Sequence, residues 1–346
     1  MVPVSDLWRG RAMLSVSRLF KGKPAGLLGV DIGPTSIKLV ELSKQAHGCR
    51  VEAYGMEPLP PNTFVDGQFS DVERIGEAIR ELKRQNGCRS NRAALALTGP
   101  LAVIKTLTVD AALADADVAA TIEVEAERHL PGPPDEVAYD FEVQGLSPLD
   151  AKQAEAVLAA CPKAQVAQGA AVLRAGQLRP IVVEIGDLAL ARGLAEARTA
   201  LAGDGEGLTA LFEVGQRAAE LKVFERGLCI HRATEAFDGS VGTRDAVGDE
   251  AAPSAIDPGA LARAAAQALE RFEASAAPER VGVALFAGIG ASSALVEAVD
   301  ERLPVRASVA NPFRRMSLAP PIDRQALFSD APGLLTACGL ALRSGP

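Results

Sequence analysis

The feature that most constrains the fold is a pattern that occurs twice in the sequence. LLGVDIGPTSIKLVEL begins at Leu27, and TALFEVGQRAAELKVF begins at Thr209. Each copy has an apolar strand, an acidic residue, an apolar residue, a glycine, a polar turn and a second strand. Such duplication predicts an α/β fold built from two related halves that face each other across a cleft.

Composition limits the class of protein further. Of the 346 residues, 48% are hydrophobic and 23% are charged, which is typical of a globular chain with a substantial core. The formal net charge of −8 argues against nucleic-acid binding, because such proteins need a concentrated basic face. No run of about eighteen apolar residues is present, and no secretory signal is recognisable. We therefore expect a soluble cytoplasmic protein.

The five cysteines are scattered and form no CxxC pair, so the sequence predicts neither a disulfide framework nor a zinc site. Cys161 and Cys338 are expected to be buried as small apolar residues.

Local patterns divide the chain into segments. Residues 1–25 are expected to form a flexible lead. SDVERIGEAIRELKRQNG predicts a helix with a capping box from Ser70 to Glu73 and a left-handed stop at Gly87. Between about residues 101 and 179 the pattern becomes β-α-β-β-α, which indicates an inserted subdomain. The glutamates of its first helix (Glu123, Glu125 and Glu127) are expected to form a solvated face, with docking of a basic peptide as the alternative.

The first glycine turn contains groups that suit a phosphate. Gly33 permits close approach to the backbone, and Thr35, Ser36 and Lys38 add donors and a positive charge. Asp31 ends the preceding strand and is a candidate Mg²⁺ ligand through water. An ordinary β-hairpin turn explains the same residues equally well.

Two further glycine turns follow along the chain. Glu213 and Gly215 repeat the acidic-x-Gly arrangement, and Gly288 and Gly290 lie between a predicted strand and a predicted helix. A Rossmann interpretation of the last turn is not favoured, because its pattern is GxGxxS and no acidic residue follows at the required distance. A GxSxG elbow, an HExxH motif and a Walker lysine loop are likewise missing from the sequence.

Taken in order, the three turns resemble the phosphate-1, phosphate-2 and adenosine elements of the actin-like ATPase superfold. Within that superfold the sequence resembles the PilM family of type IV pilus assembly proteins. The segments that carry the resemblance are GVDIGPTSIKLVELS, VEAYGMEPLPPNTFVDGQFSD, PPDEVAYDFEV and VANPFRRMSLAPPIDRQALFSDAPGLLTACGLALRS. The resemblance covers most of residues 13–345, and the closing segment is the most specific.

The resemblance implies an FtsA-like arrangement of subdomains. Subdomain 1A is expected at residues 26–99, 179–203 and 313–346, the inserted subdomain 1C at 100–178, and subdomains 2A and 2B at 204–312, with a shortened 2B at about 236–278. It also implies an ATP and Mg²⁺ site lined by Asp31, Gly33, Thr35, Ser36, Lys38, Glu213, Gly215, Gly288 and Gly290.

A PilM-like protein is expected to be a cytoplasmic adaptor that is recruited peripherally to the inner membrane. The resemblance implies that it docks the cytoplasmic N-terminal peptide of a PilN-like bitopic protein in a groove at 1A/1C. The loop Leu130–Pro134 is either an ordinary connection or part of that groove. Pilus motor ATPases and self-association are further implied partners, and nucleic acid is not.

The sequence departs from the family at the expected nucleotide site. Pro34 removes a backbone N–H from the first turn, Glu213 replaces an aspartate, and Ile289 introduces a branched side chain. These changes predict a degenerate site at which hydrolysis is not expected. An active ATPase or kinase of the same superfold is one alternative. An FtsA-like division protein is another, although such proteins end in an amphipathic helix and this sequence ends at Arg343–Pro346.

Overall fold

A computed structural model describes ten larger stretches and one short strand. These are residues 26–65, 68–97, 102–113, 115–147, 150–202, 207–215, 218–236, 240–241, 255–275, 280–288 and 290–343. The chain divides into two compact units. Unit 1 comprises residues 1–43, 53–186 and 343–346, and unit 2 comprises residues 44–52 and 187–342. The predicted lead at 1–25 and part of the predicted 2B segment (237–239, 242–254 and 276–278) lie outside the described residues.

The elements up to residue 185 fall mainly in unit 1. They are β1 (Leu28–Ile32), β2 (Ser36–Gln45), β3 (Gly48–Pro58), β4 (Phe64–Val65), β5 (Gln68–Phe69), α1 (Val72–Gln85), β6 (Arg92–Leu97), β7 (Val103–Asp110), α2 (Asp115–Ala126), β8 (Val137–Leu146), β9 (Gln153–Pro162), α3 (Lys163–Ala175) and β10 (Arg179–Ile185).

The main sheet of unit 1 has the order β10-β6-β1-β2-β3. Strand β1 pairs antiparallel with β2 and parallel with β6, and β10 is parallel to β6. Both faces of β1 are buried, which explains why its sequence is almost continuously apolar. Helix α1 packs Ile75 and Ile79 against this sheet, as its apolar stripe predicts.

The ends of α1 confirm one prediction and correct another. Gly87 has φ +67°, so the left-handed stop is confirmed. The N-cap, however, is Asp71, whose carboxylate accepts a hydrogen bond from Arg74 N at 3.0 Å. The predicted cap, Ser70, instead donates its hydroxyl to Asn62 O at 2.6 Å. This bond holds Ser70 in the preceding loop and leaves Asp71 next to the first helical residue.

The predicted β-α-β-β-α order is confirmed as β7, α2, β8, β9 and α3. Its three strands form a separate antiparallel sheet with β9 in the centre. Ile122 of α2 packs with Leu107 and Leu158 of this sheet. The sequence DADVAATIEVEAERHL predicts a helix that continues to Leu130, but α2 ends at Ala126 and the next residues form turns. Helix α3 packs against the main sheet of unit 1 and against the three-stranded sheet of β7, β9 and β8.

The remaining elements fall mainly in unit 2. They are α4 (Gly186–Ala202), β11 (Leu208–Val214), β12 (Ala218–Glu225), β13 (Leu228–Ala236), β14 (Ser240–Val241), β15 (Ala255–Ile256), α5 (Pro258–Ser275), β16 (Val281–Ala287), α6 (Ser293–Asp300), β17 (Arg306–Val309), β18 (Ser317–Leu318), α7 (Arg324–Asp330) and α8 (Leu335–Leu342).

The sheet of unit 2 repeats the strand order of unit 1. Its order is β17-β16-β11-β12-β13, with β11 antiparallel to β12 and parallel to β16. Phe212 and Phe286 stack at 4.9 Å between ring centroids on the face covered by α5 and α6. Leu194 of α4 packs against Leu285 on the other face. The duplication expected from the sequence is therefore present in the strand order.

The short strand β18 is parallel to Arg50 and Val51, in the part of β3 that belongs to unit 2. Within the described ranges, no helix combines the length and the apolar character that crossing a bilayer requires.

Candidate functional site

The β1–β2 hairpin of unit 1 brings five predicted site residues together. Asp31 lies directly opposite Lys38, and the lysine Nζ is 3.1 Å from Asp31 Oδ2. Gly33 donates its N–H to Ser36 O at 3.0 Å, which closes the turn. Thr35 is exposed at the tip of this turn. The carboxylate of Asp31 is buried, and its charge is compensated by the lysine of its own hairpin.

The β11–β12 hairpin of unit 2 has the same closure. Gly215 donates its N–H to Ala218 O at 2.9 Å. Glu213, at the end of β11, forms an ion pair with Lys222 of β12. Lys222 also lies 3.4 Å from Glu220 Oε2. Lys222 is not among the residues predicted from the sequence, although Glu220 and Lys222 are two residues apart on a strand and therefore share a face.

The third turn joins β16 to the region before α6. Gly288 has φ +89°, and a Cβ there would lie 2.8 Å from Val214 O. Gly290 is equally constrained, because a Cβ would lie 2.8 Å from Val214 Cγ1. Gly288 N donates to Pro332 O at 3.3 Å, and Gly290 N donates to Val214 O at 3.2 Å. Both glycines are therefore required by the close packing of this turn against the end of β11.

These contacts define what each turn can bind. The four predicted glycines direct their backbone N–H groups to carbonyl oxygens within their own units. In unit 1, Lys38 keeps a fifth of its side chain exposed on the same hairpin as Thr35 and Ser36, and residues of these types are able to contact a phosphate. Asp31 fits Mg²⁺ poorly while its Oδ2 accepts Lys38. The assignment of the nine residues named in the sequence analysis as nucleotide ligands stays a prediction.

The described part of the chain shows neither a cluster of metal ligands nor a cysteine with the lowered pKa of a reactive thiol. No group of three or more His, Cys, Asp or Glu side chains there has the arrangement of a metal site. All five cysteines are free, and Cys161 and Cys338 are buried as predicted. Burial raises the pKa of the Cys161 thiol to about 12, which keeps it neutral near pH 7.

The inserted sheet presents a second candidate surface. Strand β8 lies at the edge of this sheet and pairs with β9 along its other side. Its residues from Glu142 to Leu146 are exposed, including Val143 at 45% and Leu146 at 64%. The pairing is regular from Val137 to Val143 and is interrupted by a bulge before Gly145. Pro133 and Pro134 of the preceding loop are exposed as well.

The repeated sheet order and the paired glycine hairpins define a protein with the actin-like ATPase fold. A chain of a PilM–PilN type IV pilus biogenesis complex has the same fold, with 22% identity and a TM-score of 0.68 over 92% of this chain and 98% of that chain. The sequence profile of "Type IV pilus assembly protein PilM" matches residues 29–249 and 258–345. The chain therefore belongs to the PilM family of type IV pilus assembly proteins.

More distant similarities were found with other solved structures. EutJ, an ethanolamine utilization protein from Carboxydothermus hydrogenoformans, is 16% identical over 93% of this chain and 90% of its own, with a TM-score of 0.46. Component A of (R)-2-hydroxyglutaryl-CoA dehydratase from Acidaminococcus fermentans is 11% identical over 92% of this chain and 96% of its own, with a TM-score of 0.40.

Proposed function

We propose that this chain is an adaptor of type IV pilus assembly. It docks the cytoplasmic N-terminal peptide of a PilN-like inner-membrane protein and links the alignment complex to the pilus machinery. Family membership and the fold shared with a chain of a PilM–PilN complex support this partner. On this proposal the protein is cytoplasmic and is held at the inner membrane by its partner.

The charge of the inserted subdomain is the observation that carries the docking proposal. Residues 100–178 contain twelve acidic and five basic residues, a net charge of −7, whereas the whole chain has −8. Cytoplasmic segments next to a membrane-spanning helix carry an excess of Lys and Arg. The N-terminal peptide of a bitopic protein is such a segment, so the acidic subdomain is electrostatically complementary to it.

The geometry favours the edge of β8 as the docking position. This strand has regular pairing on one side, and in the described residues no strand pairs with its other side. An extended peptide can add to such an edge through main-chain hydrogen bonds. Glu142 and Val143 are exposed there and offer a carboxylate and an apolar contact. We expect micromolar affinity, about −8 kcal/mol, because the peptide must lose conformational entropy when it binds.

Calorimetric titration of the full chain with the N-terminal peptide of the neighbouring bitopic pilus protein tests this position. The double variant Glu142→Lys, Val143→Lys removes one carboxylate and one apolar contact and adds repulsion toward a basic peptide. We expect the dissociation constant to rise at least tenfold, about 1.4 kcal/mol. Replacing residues 131–134 with Gly and Ser in a second variant tests the neighbouring loop.

The matched control places two lysines on the opposite edge of the same sheet. Thr106 and Thr108 of β7 are exposed, and Thr106→Lys, Thr108→Lys raises the charge there by two units, against three in the β8 variant. This control should retain most of the affinity. Equal losses in both double variants would show a general charge effect and would contradict docking at β8, as would unchanged affinity in the β8 variant.

The proposal includes a degenerate nucleotide site. Lys38 is the residue that would contact a nucleotide phosphate, with Thr35 and Ser36 on the same hairpin. The glycine N–H groups engaged within each unit, together with Pro34, favour weak phosphate binding without turnover. An adaptor does not require hydrolysis to hold a peptide. Contacts with motor ATPases and self-association are further parts of the proposal that rest on the family resemblance.

A further inference from the structure

The acidic hairpin of unit 2 contains its own cation. Lys222 is 8% exposed, and its Nζ contacts Glu213 and lies 3.4 Å from Glu220 Oε2. Glu220 Oε1 is 3.7 Å from Arg232, which is paired with Asp187. Three carboxylates and two cationic side chains therefore alternate across β11, β12, β13 and the start of α4.

The strand register explains why a cation is needed at this position. Glu213 and Glu220 are directly opposite each other on the antiparallel strands β11 and β12. Like charges in such a pair repel and destabilise the sheet. Lys222 is opposite Leu211, so its side chain shares a face with Glu213 and reaches it diagonally. The ammonium group thereby attracts both carboxylates.

The protonation of Lys222 is consistent with this arrangement. Burial lowers the pKa of Lys222, whereas attraction and hydrogen bonding by Glu213 and Glu220 raise it, and the net pKa lies above the ordinary lysine value. The lysine is therefore positively charged at neutral pH.

Actin-like ATPase folds are expected to bind a divalent cation together with nucleotide, but the donors of this hairpin do not fit one. Mg²⁺ requires oxygen ligands at about 2.1 Å in octahedral geometry and retains several waters. Here both oxygens of Glu220 face cationic side chains, and Glu213 Oε2 accepts the Lys222 ammonium. The β1–β2 hairpin of unit 1 has a comparable pair, Lys38 with Asp31.

We propose that Lys222 is a built-in counter-ion that replaces a divalent cation at the Glu213–Glu220 pair. The parent chain therefore needs no Mg²⁺ at this hairpin. Removing the ammonium group should convert the pair into a cation-responsive site. This inference concerns the fold of unit 2 and does not depend on the proposed peptide docking.

Thermal unfolding of the full chain tests the proposal with Mg²⁺ alone as the probe. The melting temperature of the parent should be the same in millimolar MgCl2 and in NaCl of equal ionic strength. Lys222→Met should melt lower in NaCl and regain at least about 3 °C in MgCl2, a shift that is measurable for a domain of this size. Adding Glu213→Gln to Lys222→Met should abolish the Mg²⁺ response.

The control variant is Lys105→Met, which removes an exposed lysine from β7 of unit 1. It should show no specific response to Mg²⁺. A folded Lys222→Met variant that is indifferent to Mg²⁺ would overturn the proposal. The parent chain provides a second test if that variant fails to fold. Stabilisation of the parent by Mg²⁺ that disappears in Glu213→Gln would show that the cation binds beside Lys222 and would also overturn it.

Discussion

Helices α4 and α8 approach each other so closely that a side chain added at their contact should destabilise the protein. A Cβ added to Gly339 of α8 would lie 2.7 Å from the Ala189 carbonyl carbon and 3.0 Å from Gly193 N. A Cβ on Gly193 would lie 2.8 Å from the Leu335 carbonyl carbon. Since carbon atoms pack at about 3.5–4.0 Å, Gly339→Ala must push the two helices apart by about 1 Å.

Two opposing contributions determine how much Gly339→Ala lowers the free energy of unfolding. Overpacking a tight contact costs about 1–3 kcal/mol, and here the contact is with backbone atoms that cannot rotate away. Alanine recovers about 0.5–1 kcal/mol through its better helix propensity. Because backbone atoms cannot move aside, we take the upper end of the overpacking range, about 3 kcal/mol, and the expected net loss in the free energy of unfolding is about 2 kcal/mol. For a unit of this size that corresponds to a decrease in melting temperature of about 4–8 °C.

Melting followed by circular dichroism measures this loss. The matched control is Gly132→Ala, because the nearest atom to a Cβ there is Val137 Cγ2 at 3.8 Å, an ordinary contact. The control should melt within about 2 °C of the parent. A Gly339→Ala variant that melts with the parent or above it would refute the close packing of α4 on α8.

Two further predictions concern individual side chains. Lys38→Met should weaken ATP binding about fivefold in calorimetry, near 1 kcal/mol, whereas Lys105→Met should not; equal affinities, or no binding by the parent, would contradict a phosphate contact at Lys38. Burial raises the pKa of Cys88 to about 12 and also raises that of Cys49. Because a raised pKa keeps a thiol neutral at pH 8, alkylation should be slow in the native state and faster at the half-buried Cys49 than at the buried Cys88. Early modification of Cys88, detected by mass spectrometry, would contradict this order.

The sequence allowed the repeated part of the fold to be predicted because each copy has strong local signals. The apolar run before Asp31 and the glycine two residues later predict a strand and a turn, and the second copy at Glu213 repeats them. The β-α-β-β-α order that follows was predictable because the sequence pattern changes abruptly near residue 101. These signals depend on neighbouring residues, so no long-range information was needed.

Other features depend on tertiary contacts that the pattern does not contain. The pairing of Lys222 with Glu213 requires the register of β11 with β12, and a slip of one residue would place the lysine on the opposite face. The sequence also did not indicate that the N–H groups of Gly288 and Gly290 have carbonyl partners within unit 2. Their glycine pattern is compatible with both a phosphate contact and tight packing. The competition between Ser70 and Asp71 for the cap of α1 was decided by the hydroxyl contact with Asn62.

Flotation with proteoliposomes tests the adaptor function most directly. Vesicles would carry either the full-length neighbouring bitopic protein or a form that lacks its cytoplasmic N-terminal peptide. We expect the chain to float with the full-length protein and to stay at the bottom of the gradient with the truncated form or with empty vesicles. Equal flotation with both forms of the partner, or none with the full-length form, would contradict recruitment through that peptide.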